Sequence, residues 1–394
     1  MLPPVLPLLQ AQLEMGHLRS SWLMTGFLIS YALMQAMVGG ITARVGRRRT
    51  IAAGVGVYSA ATLLIGVSGA YWQLLALQVL GGLGAGVYFI TGLYCVGRLA
   101  ASENRGRVAA MFMSGGKTGE LAATMFVSIA LQRGSWEAAY MAWSALGFAV
   151  MTAIALLLPK IEKGMPPEAG GNTDSAVSHR HSGAATRTRN DLASCLTRPP
   201  YLMLTAAFVL NAVRTWGYTT FLPEFLVSQR GFQTAAANAA YTMTLVVAVL
   251  AQMAGGVLCD RFGAVPVTVV SNVLAGASTM ALVLFTSRTA VLIEIAAVSA
   301  MSNLAFLANL SAIMASLPDH AQERGAGLSN GLSFIGAALG PAFAGRIIDV
   351  SGFPSAFAWM AAIAWLGHVA AAVAGRLAGA AGSRMYSTAA KPLQ

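Results

Sequence analysis

The long stretches without a charged residue constrain this chain more than any other feature of its sequence. No Asp, Glu, Lys or Arg lies between Arg19 and Arg44, and none lies between Arg49 and Arg98. Only 10% of all residues are charged, whereas an ordinary soluble domain has about 25%. Because water cannot solvate a surface this poor in charge, most of the surface is expected to face lipid.

Backbone groups in hydrocarbon must form their hydrogen bonds within the same segment, so the charge-free stretches are predicted to be helices. The run from Arg49 to Arg98 is long enough for two spans of about 20 residues each. Two further spans are interrupted only by Lys117 with Glu120 and by Arg214. Together the stretches indicate about ten clear spans and a partial one at the start. The aromatic residues Trp72, Trp136 and Phe353 lie near outer ends of spans and are expected to be anchors at the membrane interface.

The formal net charge of +11 is explained by membrane topology rather than by nucleic-acid binding. If the loop at Arg44 is cytoplasmic, most of the 25 Lys and Arg residues fall on that side of the membrane. This asymmetry is the positive-inside rule. We therefore expect no nucleic-acid partner, and the spacing of Cys95, Cys195 and Cys259 indicates neither a metal cluster nor a disulfide.

The chain contains an internal repeat. Residues 39–46 read Gly-Gly-Ile-Thr-Ala-Arg-Val-Gly, and residues 256–263 read Gly-Val-Leu-Cys-Asp-Arg-Phe-Gly. Further matched pairs follow in the same order: Arg105 with Arg324, Gly115 with Gly336, Gly119 with Gly340, and Pro7 with Pro223. The repeated unit is predicted to be a six-helix bundle.

These features resemble the major facilitator superfamily, whose loop between the second and third helices carries Gly-x-Leu-Ala-Asp-Arg-x-Gly-Arg-Arg. The resemblance implies an all-α membrane protein of two pseudo-symmetric six-helix bundles, with about 11 full transmembrane helices here and a partial first one. The implied organisation is an N-terminal bundle at 1–159, a cytoplasmic linker at 160–198, a C-terminal bundle at 199–379 and a cytoplasmic tail at 380–394.

The first helix is expected to be incomplete. Pro223 follows about 24 residues after Pro200, where its helix begins, while only six residues precede Pro7. By symmetry, most of the first helix is predicted to lie upstream of Met1, because half a span would expose backbone polar groups to lipid. The alternative is a protein of eleven helices.

In the family, the Asp and Arg of the loop signature lock the cytoplasmic ends of helices and release them on turnover. The first copy here has Ala43 where the Asp belongs, while the second copy keeps Asp260. The resemblance thus implies one Asp-based latch, in the C-terminal half. The gating candidates are Gly39, Arg44, Gly46, Arg47, Arg48, Gly256, Asp260, Arg261 and Gly263. The basic residues among them also serve topology.

Lys117 and Glu120 lie near the middle of the fifth predicted helix. Ionisable groups inside a membrane cost about 2.5–3.5 kcal/mol on insertion scales, so each one is a candidate functional residue. The two are three residues apart and share a helix face. Either Lys117 contacts an anionic substrate while Glu120 takes up a proton, or the two form an internal ion pair.

Arg214 lies near the middle of the seventh predicted helix, with Asn211 and Tyr218 on the same face. Family cavities are lined partly by the first and seventh helices, and cationic residues there are known from organic-anion branches. A guanidinium suits a carboxylate or phosphate because it is planar and always charged. The alternative is that Arg214 pairs with Glu120 and joins the bundles. The substrate-binding candidates are Arg214, Lys117, Glu120, Asn211 and Tyr218.

The resemblance implies secondary active transport of a small solute by alternating access, and the cations indicate an organic anion. Two alternatives remain: proton-coupled efflux of hydrophobic or cationic compounds, and a membrane sensor that transports nothing. Gln78 replaces an Arg associated with proton coupling in the fourth helix, and the Gly-x-x-x-Gly-Pro of drug antiporters is absent from the fifth.

The expected partners are the lipid bilayer, a small-molecule substrate, and a coupling proton or counter-anion. We expect no metal, no cofactor and no enzymatic activity. The protein is expected to be a monomer in a bacterial-type inner membrane, with the linker and the C-terminal tail in the cytoplasm.

Overall fold

The structure, a computed structural model, describes residues 2–99, 105–132, 135–158 and 196–389. The predicted linker therefore lies almost entirely outside the described residues, as does Cys195. The described part is helical. Its helices are α1 (Leu2–Gln12), α2 (His17–Val45), α3 (Arg47–Ile65), α4 (Tyr71–Leu99), α5 (Arg105–Gln132), α6 (Trp136–Leu157), α7 (Pro199–Arg230), α8 (Thr234–Phe262), α9 (Ala264–Leu284), α10 (Arg288–Ala315) and α11 (Asp319–Ala389).

The α11 element contains two membrane crossings. Gly352 has a non-helical backbone (φ 79°, ψ 173°), a conformation that residues with a side chain rarely adopt. It divides α11 into a first arm, residues 319–351, and a second arm, residues 353–389. The predicted division at the linker separates α1–α6, which we call the N-terminal bundle, from α7–α11, which we call the C-terminal bundle.

Within the described residues, six helical segments are long and apolar enough to cross a membrane. They are His17–Thr42, Trp136–Leu157, Thr234–Phe262, Ala264–Leu284, Arg288–Ala315 and the 54-residue stretch Gly325–Ala378, which Gly352 interrupts. An apolar helix suits lipid because every backbone N–H and C=O within it is paired. The all-α membrane fold predicted from the charge-free stretches is confirmed.

The two copies of the loop signature have the same backbone geometry. Gly46 ends α2 with a φ of 92°, and Gly263 ends α8 with a φ of 85°. Each glycine donates its N–H to a carbonyl four residues earlier, Gly46 to Thr42 over 3.0 Å and Gly263 to Cys259 over 2.9 Å. The positive φ explains why both copies have glycine at this position.

The bundles are joined along one half of the molecule, which we call the His17 side. Here His17 of α2 contacts Glu224 of α7 and Asp349 of the first arm of α11. Deeper along α2, the Thr25 hydroxyl donates a hydrogen bond of 2.8 Å to the Ala338 carbonyl. Deeper still, the rings of Tyr31 and Phe334 lie 4.9 Å apart, near the middle of both helices.

The opposite half, which we call the Arg44 side, is more open. A Cβ atom added at Gly39 or Gly40 of α2 would meet no atom within 4 Å, and the same holds for Gly327 and Gly331 of α11. By contrast, a Cβ at Gly345, on the His17 side, would lie 2.6 Å from the His17 carbonyl oxygen. These helices therefore pack tightly on the His17 side and leave space on the Arg44 side.

Two aromatic residues expected at the membrane interface are buried. Trp72 is 71% exposed, as expected of an interfacial anchor, but Trp136 and Phe353 are each only 5% exposed. The prediction for these two residues is wrong. Phe353 follows Gly352 directly and packs against His17 and Phe225, so the break in α11 turns it into the core. The α11 helix also continues to Ala389, ten residues into the predicted tail, through an alanine-rich stretch that favours helix.

Gly340 is predicted to be intolerant of a larger residue because α7 and α11 touch there. A Cβ at this position would collide with the Val213 carbonyl oxygen and lie 2.9 Å from the Gly217 nitrogen. Gly340→Ala should lower the unfolding free energy by about 1–3 kcal/mol through overpacking. Gly331→Ala, in the same helix, should be neutral or slightly stabilising. Thermal denaturation in detergent measures both, and equal melting temperatures would contradict this packing.

Candidate functional site

The Arg214 guanidinium is the most deeply buried ionisable group of the candidate site. Arg214 lies midway along α7 and is fully buried, with 0% exposure. One of its nitrogens, Nη2, shares its two N–H groups among three acceptors, Asn211 Oδ1 at 2.8 Å, Ser302 Oγ at 2.7 Å and Thr215 Oγ1 at 3.2 Å. All three acceptors are neutral. The positive charge is therefore held in place without being neutralised.

The partner residues fix the orientation of the guanidinium. Asn211 lies one turn before Arg214 on α7, and its amide donates to the Ser302 carbonyl over 3.4 Å. Ser302 donates its hydroxyl proton to the carbonyl of Val298 within α10, so its oxygen is free to accept from Arg214. Neighbouring Asn303 accepts a 3.1 Å hydrogen bond from Gln252 of α8. The guanidinium is thus held between α7 and α10.

Several polar atoms beside Arg214 have no hydrogen-bond partner within the described part of the chain. They are Nε and Nη1 of Arg214 itself and the hydroxyl of Tyr218, which lies one turn further along α7. The Tyr218 ring is buried and packs edge-on against Phe357 at 5.6 Å. Buried donors without partners are costly, at about 1–3 kcal/mol each. These donors are therefore unpaired among the described residues, although each of them is buried.

Lys117 and Glu120 form an ion pair on α5. Lys117 Nζ lies 2.9 Å from Glu120 Oε2, and the side chains remain 31% and 32% exposed. Glycines flank the pair at positions 115, 116 and 119, and a Cβ at any of them would meet no atom within 4 Å. The pair therefore borders open space.

Tyr241 of α8 is buried in the same hydrophobic cluster as Tyr218, and Leu121, the neighbour of Glu120, packs against that cluster. The five predicted substrate-binding residues fall into two sets, Lys117 with Glu120 on α5 and Asn211, Arg214 and Tyr218 on α7. Their role in substrate binding stays a prediction.

The alternative pairing of Arg214 with Glu120 is not formed in the described structure, where Glu120 pairs with Lys117. The sequence did not reveal Ser302 or Tyr241. Both lie in apolar spans without any ionisable neighbour, and only helix packing brings Ser302 to Arg214 and Tyr241 into the cluster that holds Tyr218.

The gating candidates lie at the Arg44 side, where their roles remain predictions. Arg48 Nη1 lies 3.5 Å from the carbonyl of Leu158, just beyond α6. Arg261 lies over the ring of Phe262 at 5.2 Å. Gly39 and Gly256 border open space, and Arg44, Arg47 and Asp260 are placed at the ends of α2, α3 and α8.

The ion pair on α5 should show energetic coupling. Removing one member leaves a partly buried charge without its partner. The losses of unfolding free energy in Lys117→Met and in Glu120→Gln should therefore add up to more than the loss in the double variant. The expected coupling free energy is about 0.5–1 kcal/mol, since a third of each side chain is exposed. Melting temperatures of the two single variants and the double variant measure it, and strict additivity would show that the charges do not interact.

Comparison with known proteins supports a membrane transport family. The profile of the Major Facilitator Superfamily matches residues 1–250 and, in a second overlapping match, 207–382. A Haemophilus influenzae protein named for metabolite transport is 24% identical over 353 residues, which cover 86% of this chain and 83% of that protein. The multidrug efflux protein YfmO of Bacillus subtilis is 27% identical over 186 residues, 46% of this chain and 45% of its own length.

A shorter match covers 100 residues of an MFS-type transporter of Mycobacterium tuberculosis, at 30% identity. It spans 25% of this chain and only 17% of the mycobacterial protein.

Solved structures show the same fold. A bacterial homologue of the human lysosomal transporter Spinster, in an inward-facing and unoccupied conformation, superposes with a TM-score of 0.72 at 17% sequence identity. The match covers 95% of this chain and 94% of the homologue. Its occupied form gives a TM-score of 0.68 at 18% identity. With a family profile that matches both halves, this chain belongs to the Major Facilitator Superfamily.

Proposed function

We propose that this protein is a secondary active transporter that moves a small organic anion by alternating access, with Arg214 as the principal anion contact. The observation that carries the proposal is a fully buried guanidinium whose only hydrogen-bond acceptors, among the described residues, are neutral oxygens. A buried cation without a counter-ion is strongly disfavoured unless a ligand supplies the negative charge.

The charges around the site favour an anion over a cation. Lys117 and Glu120 neutralise each other across 2.9 Å, so the pair contributes no net charge. Arg214 then leaves the group of five residues with a net positive charge. A carboxylate or phosphate would accept hydrogen bonds from the unpartnered Nε and Nη1 atoms and from the Tyr218 hydroxyl.

Lys117 and Glu120 supply a second element of the mechanism. Because the pair borders open space, an anion drawn towards Lys117 would loosen its contact with Glu120. Glu120 could then take up a proton or turn towards the Tyr241 hydroxyl of the other bundle. Binding of the anion would in this way change contacts in both bundles, as alternating access requires.

The membrane orientation follows from the basic residues. The Arg44 side carries Arg44, Arg47, Arg48 and Arg49 at the junction of α2 and α3, and the positive-inside rule assigns it to the cytoplasm. With the bundles closed on the His17 side, the structure then corresponds to an inward-facing state. The expected location is a bacterial-type inner membrane, with the linker and C-terminal tail in the cytoplasm.

The second candidate function is efflux of a hydrophobic cation, as the name of YfmO suggests. Glu120 would then hold the cation or a coupling proton. The ion pair with Lys117 argues against it, since the carboxylate is already neutralised in this conformation.

The test is binding and uptake with probes of both charge types. Benzoate, succinate and glycerol 3-phosphate represent organic anions, and tetraphenylphosphonium represents a hydrophobic cation. Each is added to purified protein for thermal denaturation and then to proteoliposomes for uptake. An anion that stabilises the wild type should lose about tenfold or more in affinity in Arg214→Ala, because a charged hydrogen bond contributes about 1.5–3 kcal/mol.

Arg230→Gln is the matched control. Arg230 lies on the same helix, but it donates to the carbonyls of Leu282 and Val283, away from the site, so anion affinity should be unchanged. If Arg214→Ala takes up the anion as well as the wild type, the role assigned to Arg214 is wrong. Stabilisation by tetraphenylphosphonium alone, lost in Glu120→Gln, would instead establish cation transport.

A further inference from the structure

A histidine is held between two carboxylates where the bundles meet on the His17 side. His17 Nδ1 lies 2.7 Å from Asp349 Oδ1, and His17 Nε2 lies 2.7 Å from Glu224 Oε1. His17 belongs to the N-terminal bundle, while Glu224 and Asp349 belong to the C-terminal bundle. We call these three residues the His17 clamp.

Asp349 also caps the first turn of α2 from the opposite bundle. Its two oxygens accept the backbone N–H groups of His17 and Leu18, each over 2.8 Å. Helices leave these N–H groups without internal partners, and a side chain of the same segment usually accepts them. Here the N-cap residue is Gly16, which has no side chain, so a carboxylate of the C-terminal bundle takes that place. Separating the bundles on this side would remove the cap.

The clamp requires a proton. A neutral imidazole donates from only one of its two nitrogens, and a carboxylate only accepts. Carboxylate oxygens lie 2.7 Å from both ring nitrogens of His17. If the imidazole were neutral and both carboxylates ionised, the unprotonated nitrogen and a carboxylate oxygen would face each other as two acceptors, so the cluster must hold one more proton. Imidazolium, which donates from both nitrogens, satisfies both contacts. The carboxylates lie on opposite edges of the ring and do not converge on a common point, so the arrangement does not suit a metal ion.

The surroundings of the clamp favour this interpretation. The rings of Phe221 and Phe353 pack edge-on with the imidazole of His17, with centroids 5.9 and 5.5 Å away, so aromatic rings flank the two contacts with carboxylates. The side chains nevertheless keep 25% exposure at His17 and 27% at Asp349, so protons of the adjacent medium reach them.

The other charged groups near the clamp leave its contacts intact. Arg19, two residues along α2, stacks over the ring of Tyr71 at 4.4 Å. Arg230 donates to carbonyls at the end of α9. At the His17 end of the elements packed around the clamp, the charged and titratable groups are Glu14 and Arg19 near the start of α2, Tyr71 of α4, Glu224 and Arg230 of α7, and Arg346 and Asp349 of α11.

We propose that the His17 clamp is a proton-binding site that keeps the His17 side closed. Opening that side separates the imidazole from both carboxylates, and each group is then solvated by water with no need for the extra proton. Closure and proton binding therefore stabilise each other, as any two coupled equilibria must. Acidification of the medium on the His17 side should favour the closed state, and a rise in pH should release one proton and favour opening.

The proposal concerns gating and does not depend on which solute is carried. It can therefore be tested without substrate, and a failure to find anion transport would leave its test unaffected.

The experiment measures the distance between the bundles on the His17 side as a function of pH. Val67 lies in the turn between α3 and α4, Thr286 lies in the turn between α9 and α10, and both are exposed. Spin labels are attached to Val67→Cys and Thr286→Cys in full-length protein in nanodiscs, with Cys95, Cys195 and Cys259 replaced by serine. Double electron–electron resonance then gives the ratio of short to long distances.

The expected result is a ratio of closed to open protein that falls about fivefold or more between pH 5 and pH 8, where histidine changes its charge. His17→Gln should show a flat ratio over the same range, because a neutral amide cannot take up the proton. Glu224→Gln should weaken the pH response, which gives a second variant should His17→Gln fold poorly.

His368→Gln is the matched control. His368 lies in the second arm of α11 and contacts the carbonyl of Val269 at 3.3 Å, away from the bundle interface. It should keep the wild-type pH response. The proposal is overturned if the wild-type ratio does not change with pH, or if His17→Gln responds to pH as the wild type does.

Discussion

The requirement that every charge inside the membrane have a partner governs this structure. Most of the chain meets this requirement by having no charged residues. These apolar stretches form helices, because a helix pairs its own backbone N–H and C=O groups within the hydrocarbon. Lys117 and Glu120 meet it by pairing with each other. Arg214 alone among these three is surrounded by neutral acceptors, and it lies fully buried in the middle of α7. The proposed function rests on that exception, because an anion entering between the bundles would complete the arrangement.

The duplicated architecture gives the two bundles different tasks in the proposed mechanism. The C-terminal bundle holds Arg214 between α7 and α10, and it also supplies the carboxylates that grip His17. The N-terminal bundle supplies the ion pair and the histidine. Each bundle therefore supplies residues both to the central site and to the His17 clamp. In the proposed mechanism, a proton at the clamp and an anion at the central site would both act on the opening and closing of the bundles.

The sequence was sufficient for the fold and for part of the site. Charge-free stretches and the repeated loop signature predicted the helices, and both signature glycines, Gly46 and Gly263, have the same positive φ. Helical spacing placed Asn211, Arg214 and Tyr218 on one face. The His17 clamp was not predicted, because its residues are separated by more than a hundred positions and each lies at a helix end, where charge is ordinary. Phe353 was misassigned because the charge-free stretches predict a break between two spans near this residue but do not show that its ring turns inward.

The most direct test of the account is whether the space between the bundles is open to one side of the membrane. Gly331 lies on the Arg44 side, three residues before Phe334, which contacts Tyr31 of α2, and a Cβ atom added at Gly331 meets no atom within 4 Å. In a variant lacking the native cysteines, Gly331→Cys should react with a membrane-impermeant maleimide in inside-out vesicles and stay unlabelled in intact cells. Equal labelling from both sides, or labelling from the outside alone, would contradict a transporter that is closed on the His17 side and opens towards the cytoplasm.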